Sequence, residues 1–190
     1  LQQETLGSLG VTLIYGAYFY TDNPRILVES LYDDLSLDRL EIDMIDFSGP
    51  AFQYVDNRLM SLQLVKLGMT DAVIFNSEGN NMLPADILYK KNIFAVRGSF
   101  RPVTRVNIDM FEHGLDMFNQ DNSCDHQNTQ ILFEITISNL RASGDIDERD
   151  FLDRVDILGT LGYTVMISNF SEYYRMVDYF SSFTNQHIGV

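Results

Sequence analysis

Three tetrapeptides, Leu9-Gly10-Val11-Thr12, Leu67-Gly68-Met69-Thr70 and Leu161-Gly162-Tyr163-Thr164, each stand directly before a short apolar run. The runs are Leu13-Ile14-Tyr15, Ala72-Val73-Ile74-Phe75 and Val165-Met166-Ile167. A glycine in this setting closes a helix in the left-handed conformation, and the residues after it enter a strand. Three joints of one kind predict repeated βα units.

The helices between the joints are marked at their starts. Asn23-Pro24 opens the first, because proline suits the first helical position, and Leu27, Leu31 and Leu35 follow at i+4 spacing. Phe52, Val55, Leu59, Leu62 and Val65 make a helical stripe. Asp145 with Glu148 has the spacing of a capping box, followed by Phe151, Leu152, Val155, Leu158 and Leu161. Asn169 with Glu172 opens a last helix expected to bury Tyr173, Val177 and Phe180.

Strands are expected at 11–16, 40–47, 72–76, 93–98, 131–137, 163–168 and 187–190. Several are near-continuous apolar runs, as when helices cover both faces of a parallel sheet. Alternating elements of this kind predict an α/β fold with a mainly parallel sheet. An open, Rossmann-like three-layer sheet is preferred over an incomplete (β/α)8 barrel. The 190 residues suit a single domain, 1–190. The chain begins at Leu1 and stops in strand-like His187-Ile188-Gly189-Val190, which suggests a fragment of a longer chain.

Both layouts bind ligands at the carboxyl ends of their strands. That rule gathers Tyr15-Gly16, Asp46-Ser48, Asn76-Glu78, Arg97-Ser99, Ser138-Asn139 and Ser168-Asn169 on one rim. Charge singles out part of it. Between Ile87 and Ile108 there is no Asp or Glu, yet Lys90, Lys91, Arg97, Arg101 and Arg105 lie there, in a chain of net charge −14. Strand Ile93–Arg97, turn Gly98-Ser99-Phe100-Arg101-Pro102 and a helical pattern from Val106 make a strand–turn–helix start. Free amides and the positive end of the helix dipole favour an anion there.

The ligand expected at this place is a small phosphorylated or nucleotide-like anion. Arg97, Gly98, Ser99, Arg101, Thr104, Arg105, Asn107 and Asn76 are its candidate binding residues. Paired carboxylates could instead absorb the arginines. Glu134, inside Ile131–Ile137, is costly in a central strand unless paired or used. It is a candidate catalytic acid or base, or the partner of an arginine such as Arg97. Asp46, at the end of acidic Glu41–Asp46, is the second catalytic candidate, or one residue of a solvated edge strand.

The loop Asn119–Asn128 collects Cys124, Asp125 and His126, but without the paired spacing of a zinc site it is expected to be a solvated linker. No metal or cofactor is assigned.

The turn at 98–107 resembles the first motif of the HxGH nucleotidyltransferases, G-(S/T)-F-D-P-(V/I)-H-x-G-H, a family that includes nicotinate-nucleotide adenylyltransferase. Gly98, Ser99, Phe100, Pro102 and Val103 match it, and Thr104 falls at the first histidine. Arg101, Val106 and Asn107 depart from it at the acid, the glycine and the second histidine. The family places its motif on the first strand, whereas about ninety residues of βα pattern precede this one. A second signature, I-S-S-T-x-x-R, has an echo in Ile167–Arg175. The resemblance implies a phosphate-holding turn and a degenerate adenylyltransferase-like protein.

A field of −14 repels duplex phosphates, so no nucleic-acid partner is expected. No apolar run reaches the length of a membrane span. A lone cysteine, Cys124, excludes an internal disulfide and fits a cytoplasmic location. The alternative function is a non-enzymatic interaction domain whose basic segment 90–105 docks on an acidic partner or a missing C-terminal region. Tyr15, Tyr18, Phe19 and Tyr20 could stack on a base in the ligand site or serve in the core or an interface. The Tyr-rich last helix could face a missing C-terminal segment or a second subunit, so a homo-oligomer is also compatible.

Overall fold

A computed structural model of the protein describes residues 2–120, 128–141 and 144–190. Six strands form one open sheet: β1 (Ala72–Phe75), β2 (Asn81–Met82), β3 (Asn92–Arg97), β4 (Thr129–Thr136), β5 (Val165–Ser168) and β6 (Ile188–Gly189). Their order is β2-β1-β5-β4-β3-β6. β3, β4, β5 and β6 are parallel, whereas β1 runs antiparallel to both β5 and β2. The protein is therefore α/β with a mainly parallel sheet that ends on two-residue strands instead of closing into a barrel.

Period-two alternation sends side chains to the two faces of the sheet. Val73, Phe75, Phe133, Ile135, Val165 and Ile167 face α3 (Asn57–Leu67), α5 (Arg105–Asn119) and α7 (Glu148–Thr160). Ile74, Ala95, Leu132 and Met166 face α4 (Pro84–Leu88) and α8 (Tyr173–Ser181). Helix, sheet and helix make the three layers. The short α6 (Ile137–Leu140) continues directly from β4.

Two of the three Leu-Gly joints behave as expected. Gly68 ends α3 at φ +71°, and Gly162 follows α7 at φ +86°, each just before a strand. The first does not. Residues 11–16 are not a strand but the middle of α1 (Gln2–Phe19), which rests on α2 (Pro24–Ser30) through Thr12 and Gly16. The Thr12 hydroxyl donates to the carbonyls of Leu9 and Leu31. A side chain at Gly16 would meet Leu27 Cγ and Ser30 Oγ at 3.2 Å. Short apolar runs have no helix or strand signature of their own; here Val11, Ile14, Tyr15 and Tyr18 carry the helical spacing.

Residues 40–47 are likewise not a strand. The segment makes a single backbone bond to Met69, from the Ile42 N–H, and lays Ile42, Ile45 and Phe47 over α3. With α2 on the same side, Met60 to Val65 of α3 are all buried. Asn23 caps α2 as expected, but α7 is capped by Asp147 rather than Asp145. Met176 and Phe180 are the buried residues of α8, and Tyr173 is exposed.

Gly159 lets α7 press against the β1–β2 turn, where an added Cβ would stand 2.6 Å from the Ser77 carbonyl oxygen. Gly159→Ala should therefore destabilise the protein by about 1–3 kcal/mol, the cost of overpacking, despite a helix-propensity gain of ~1 kcal/mol. Urea unfolding measures this, and an unchanged midpoint would show that the contact is not held.

Candidate functional site

The carboxyl ends of β3, β4 and β5 are Arg97, Thr136 and Ser168, and parallel pairing sets them on one edge. The chain leaves β3 and β4 toward α5 and α7 on one face, and leaves β5 toward α8 on the other. Such a divergence marks the topological switch point of the sheet, between β4 and β5, where Glu134 and Ser168 are bonded to each other and fully buried.

Arg97 sits beside this point, on the neighbouring strand β3, fully engaged. Its Nε and Nη2 donate to the two carboxylate oxygens of Glu134 at 2.6 and 2.9 Å. Nη1 reaches the Ser171 carbonyl at 3.4 Å, and the guanidinium lies 4.5 Å from the centre of the Tyr173 ring. Glu134 has no solvent exposure and also accepts from the Ser168 hydroxyl at 2.5 Å. Hydrogen bonds donated to Glu134 raise the Arg97 guanidinium above its ordinary value, although desolvation works to lower it. The acid in the strand is thus the counter-ion of Arg97, clamping α8 to the sheet. It does not face solvent as a free acid or base.

The turn after β3 is shaped by packing. The Gly98 N–H donates to the Glu134 carbonyl. Phe100, at φ +46°, folds back so closely that a Cβ on Gly98 would lie 2.8 Å from its ring. Phe100 is buried against Phe133, with ring centres 5.3 Å apart. The strained dihedral is held by that ring contact.

Beyond the turn, Arg101 Nε meets Asp150 at 2.9 Å. Buried Arg154 pairs with the same carboxylate and donates to the Ser99 carbonyl at 2.9 Å. A carboxylate of the chain, in the first turn of α7, therefore stands where a ligand anion was expected. Thr104 and Asn107 bond to each other as the cap of α5: the Asn107 N–H donates to Thr104 Oγ, and the Thr104 N–H donates to Asn107 Oδ1. Arg105, the first residue of α5, is exposed. Lys90 and Lys91 precede β3, so the basic segment divides between the two ends of that strand.

Asn76 and Asp46 do not join this group. Antiparallel β1 ends at Phe75, which pairs with Val165 at the start of β5, so Asn76 lies at the opposite edge. There its side chain accepts from the amides of Glu78 and Asn80 and shapes the β1–β2 turn. Asp46 lies on the same side, accepting from Asn57 Nδ2 at 2.5 Å, while Asn81 holds the Ile45 carbonyl. Asp46, Asn57 and Asn81 line an open cleft of about 670 Å³ with Asp56, Arg58 and Asn80, and Asn76 is not among its lining residues. Burial works to raise Asp56, but hydrogen bonds from Arg58 hold its carboxyl below the usual range. Asp156 also binds Arg58. Asp46, Asp56 and Asp156 against one guanidinium give this cleft a negative balance, unsuited to phosphate.

Among the described residues no group of three or more His, Cys, Asp or Glu is placed to hold a metal. Residues 121–127 of the loop expected to be a linker, with Cys124 and His126, lie outside the described residues. No described helix is long and apolar enough to cross a membrane.

Arg154 and Asp150 were not candidates from the sequence. The signal was present: Arg154 falls between Phe151 and Leu158 on the buried stripe of α7, and an arginine there needs a buried partner.

An exposed apolar feature lies elsewhere, on α1. Val11, Ile14 and Tyr18 are 67%, 72% and 79% exposed. With Gly7 they fall at 4-3-4 spacing on the side of the helix turned away from Thr12 and Gly16. Tyr15 and Phe19 flank the row, ring centres 4.5 Å apart. No charged residue occurs from Thr5 to Thr21.

No protein-family model, curated protein or solved structure matches the chain.

Proposed function

We propose that this protein is an interaction module that docks a helical partner along the outer face of α1. The observation that carries this reading is the heptad-like row Gly7, Val11, Ile14 and Tyr18, presented to solvent by a helix already anchored through its other face. An apolar row at this spacing matches the seam by which helices pair, and contiguous exposed apolar surface marks an interaction site. A lipid surface fits less well: residues 1–24 contain no Lys or Arg, and the net charge of residues 1–190 is −14, whereas interfacial helices use basic residues on their polar face to hold anionic headgroups. The docking surface differs from the basic segment 90–105, whose arginines at 97 and 101 already hold carboxylates.

A photo-crosslinking residue placed at Ile14 in the source cells tests this, with exposed Asp86 as control. The expected result is a discrete adduct from position 14 whose contact maps to the apolar face of a helix. Position 14 crosslinking no more than position 86 would overturn the reading.

A second reading is a small phosphorylated or nucleotide-like anion at the carboxyl edge. The divergent connections after β4 and β5 support it, as do four arginines (97, 101, 105 and 154) against Glu134, Asp150 and Glu172. On this reading Arg101, Arg105 and Ser99 hold the anion and Arg97 positions the turn. Adenylyl transfer is less favoured than binding, because Thr104 and Asn107 stand where the family has histidines and are bonded to each other. Thermal shift against nucleotides and inorganic phosphate is expected to show stabilisation that Arg101→Ala with Arg105→Ala abolishes. No shift with any anion removes this reading.

A further inference from the structure

We infer that the helix docked on α1 is α1 of a second copy of this chain, the two packed antiparallel about a twofold axis. The inference rests on the reading of α1 as a docking helix and names its partner. An isologous interface must be complementary to itself, and three properties of the row meet that demand.

The first is charge. Two copies carrying −14 each repel through most of their surface. The stretch from Thr5 to Thr21 has no ionised side chain, so the middle of the two faces meets without like charges, and only at the ends do Glu4 of one copy and Asp22 of the other come near. The second is shape. In an antiparallel pair with its axis between Val11 and Ile14, Gly7 of one copy faces Tyr18 of the other. Nothing lies within 4 Å of a Cβ built on Gly7, so there is room for the tyrosine ring. A parallel pair would set Tyr18 against Tyr18 and Gly7 against Gly7, crowding one end and leaving the other void, and close packing disfavours both. Antiparallel helix dipoles also oppose each other favourably.

The third property is area. The row residues Val11, Ile14 and Tyr18 with flanking Tyr15 leave on the order of 500 Å² open, so two such faces reach about the lower limit for a specific interface.

Sedimentation equilibrium of the full chain, up to about 100 µM, tests the inference. The expected result is a dimer that Ile14→Lys weakens on the order of 100-fold, the effect of disrupting a central interface residue. Ile14 is exposed in the single chain, so circular dichroism and melting of the variant should match the parent; should it fail to fold, Val11→Ser serves the same purpose. Orientation is read in a Cys124→Ser background. Gly7→Cys with Tyr18→Cys is expected to give a disulfide-linked dimer, and neither cysteine alone should. Crosslinking by the single variants overturns the antiparallel arrangement.

A monomer at 100 µM, or a dimer indifferent to Ile14→Lys and Val11→Ser, overturns the inference. In either case an adduct from position 14 to a different protein's helix would leave the module reading standing. Absence of any position-specific adduct removes both.

Discussion

Glu134→Leu is expected to lower stability by about 3–5 kcal/mol, because it leaves the Arg97 side chain, only 11% exposed, without a counter-ion. For a chain of this size that is a fall in melting temperature on the order of 10 °C. The Ser168 hydroxyl loses its acceptor in the same step. The double variant Arg97→Met, Glu134→Leu should recover most of the loss, since two apolar side chains of similar length fill the space under Tyr173 and Met176 without desolvating a charge. Urea unfolding of the parent, the two single variants and the double variant closes the cycle. A coupling energy near zero would contradict the role of Glu134 as the clamp of α8. It would also reopen the possibility that its carboxylate acts on a ligand.

Phe133→Ala is expected to cost about 3–5 kcal/mol, the range for removing a fully buried aromatic ring. Phe133 stacks on Tyr163 at 4.2 Å between centres and meets Phe100 and Phe111 at 5.3 and 5.2 Å. Its loss should also be felt at the turn after β3, because Phe100 is held at positive φ by this ring cluster. Hydrogen exchange should therefore speed up at Gly98–Thr104 more than in α8, on the other side of the sheet. Equal acceleration on both faces would mean that the turn is held by its arginine contacts instead. The two variants probe opposite faces and share only the strand, so their effects should combine nearly additively only if β4 itself stays intact.

The candidate residues divide by how far apart their partners lie in the chain. Thr104 and Asn107 are three residues apart, and their mutual capping is a local fact that sequence spacing carries. The pairing of Arg97 with Glu134, weighed from the start as an alternative, links neighbouring parallel strands, and two apolar runs each bearing one charge were enough to suggest it. Arg101 with Asp150 joins the β3 turn to α7, and nothing near either residue indicates the other. Asn76 belongs to the rim only if every strand runs the same way. The antiparallel direction of β1 reversed that, and pairing direction depends on what β5 offers as a neighbour.

α1 shows the same limit in secondary structure. Its row at positions 7, 11, 14 and 18 is helical by spacing, but a glycine before Leu13-Ile14-Tyr15 matches the two genuine helix-to-strand joints equally well. The competition is settled by Thr12 and Gly16 packing on α2.

Local chemistry, then, was enough for the α/β class, the true joints at Gly68 and Gly162, the strands at the sheet's centre and the concentration of arginines after β3. Each depends on backbone preference or on periodicity within about a dozen residues, information that travels with the segment. Strand direction, the helical state of residues 11–16 and the internal partner of Arg101 emerged only when distant segments met. Their energies come from burial and ion pairing between surfaces that no single stretch of chain contains.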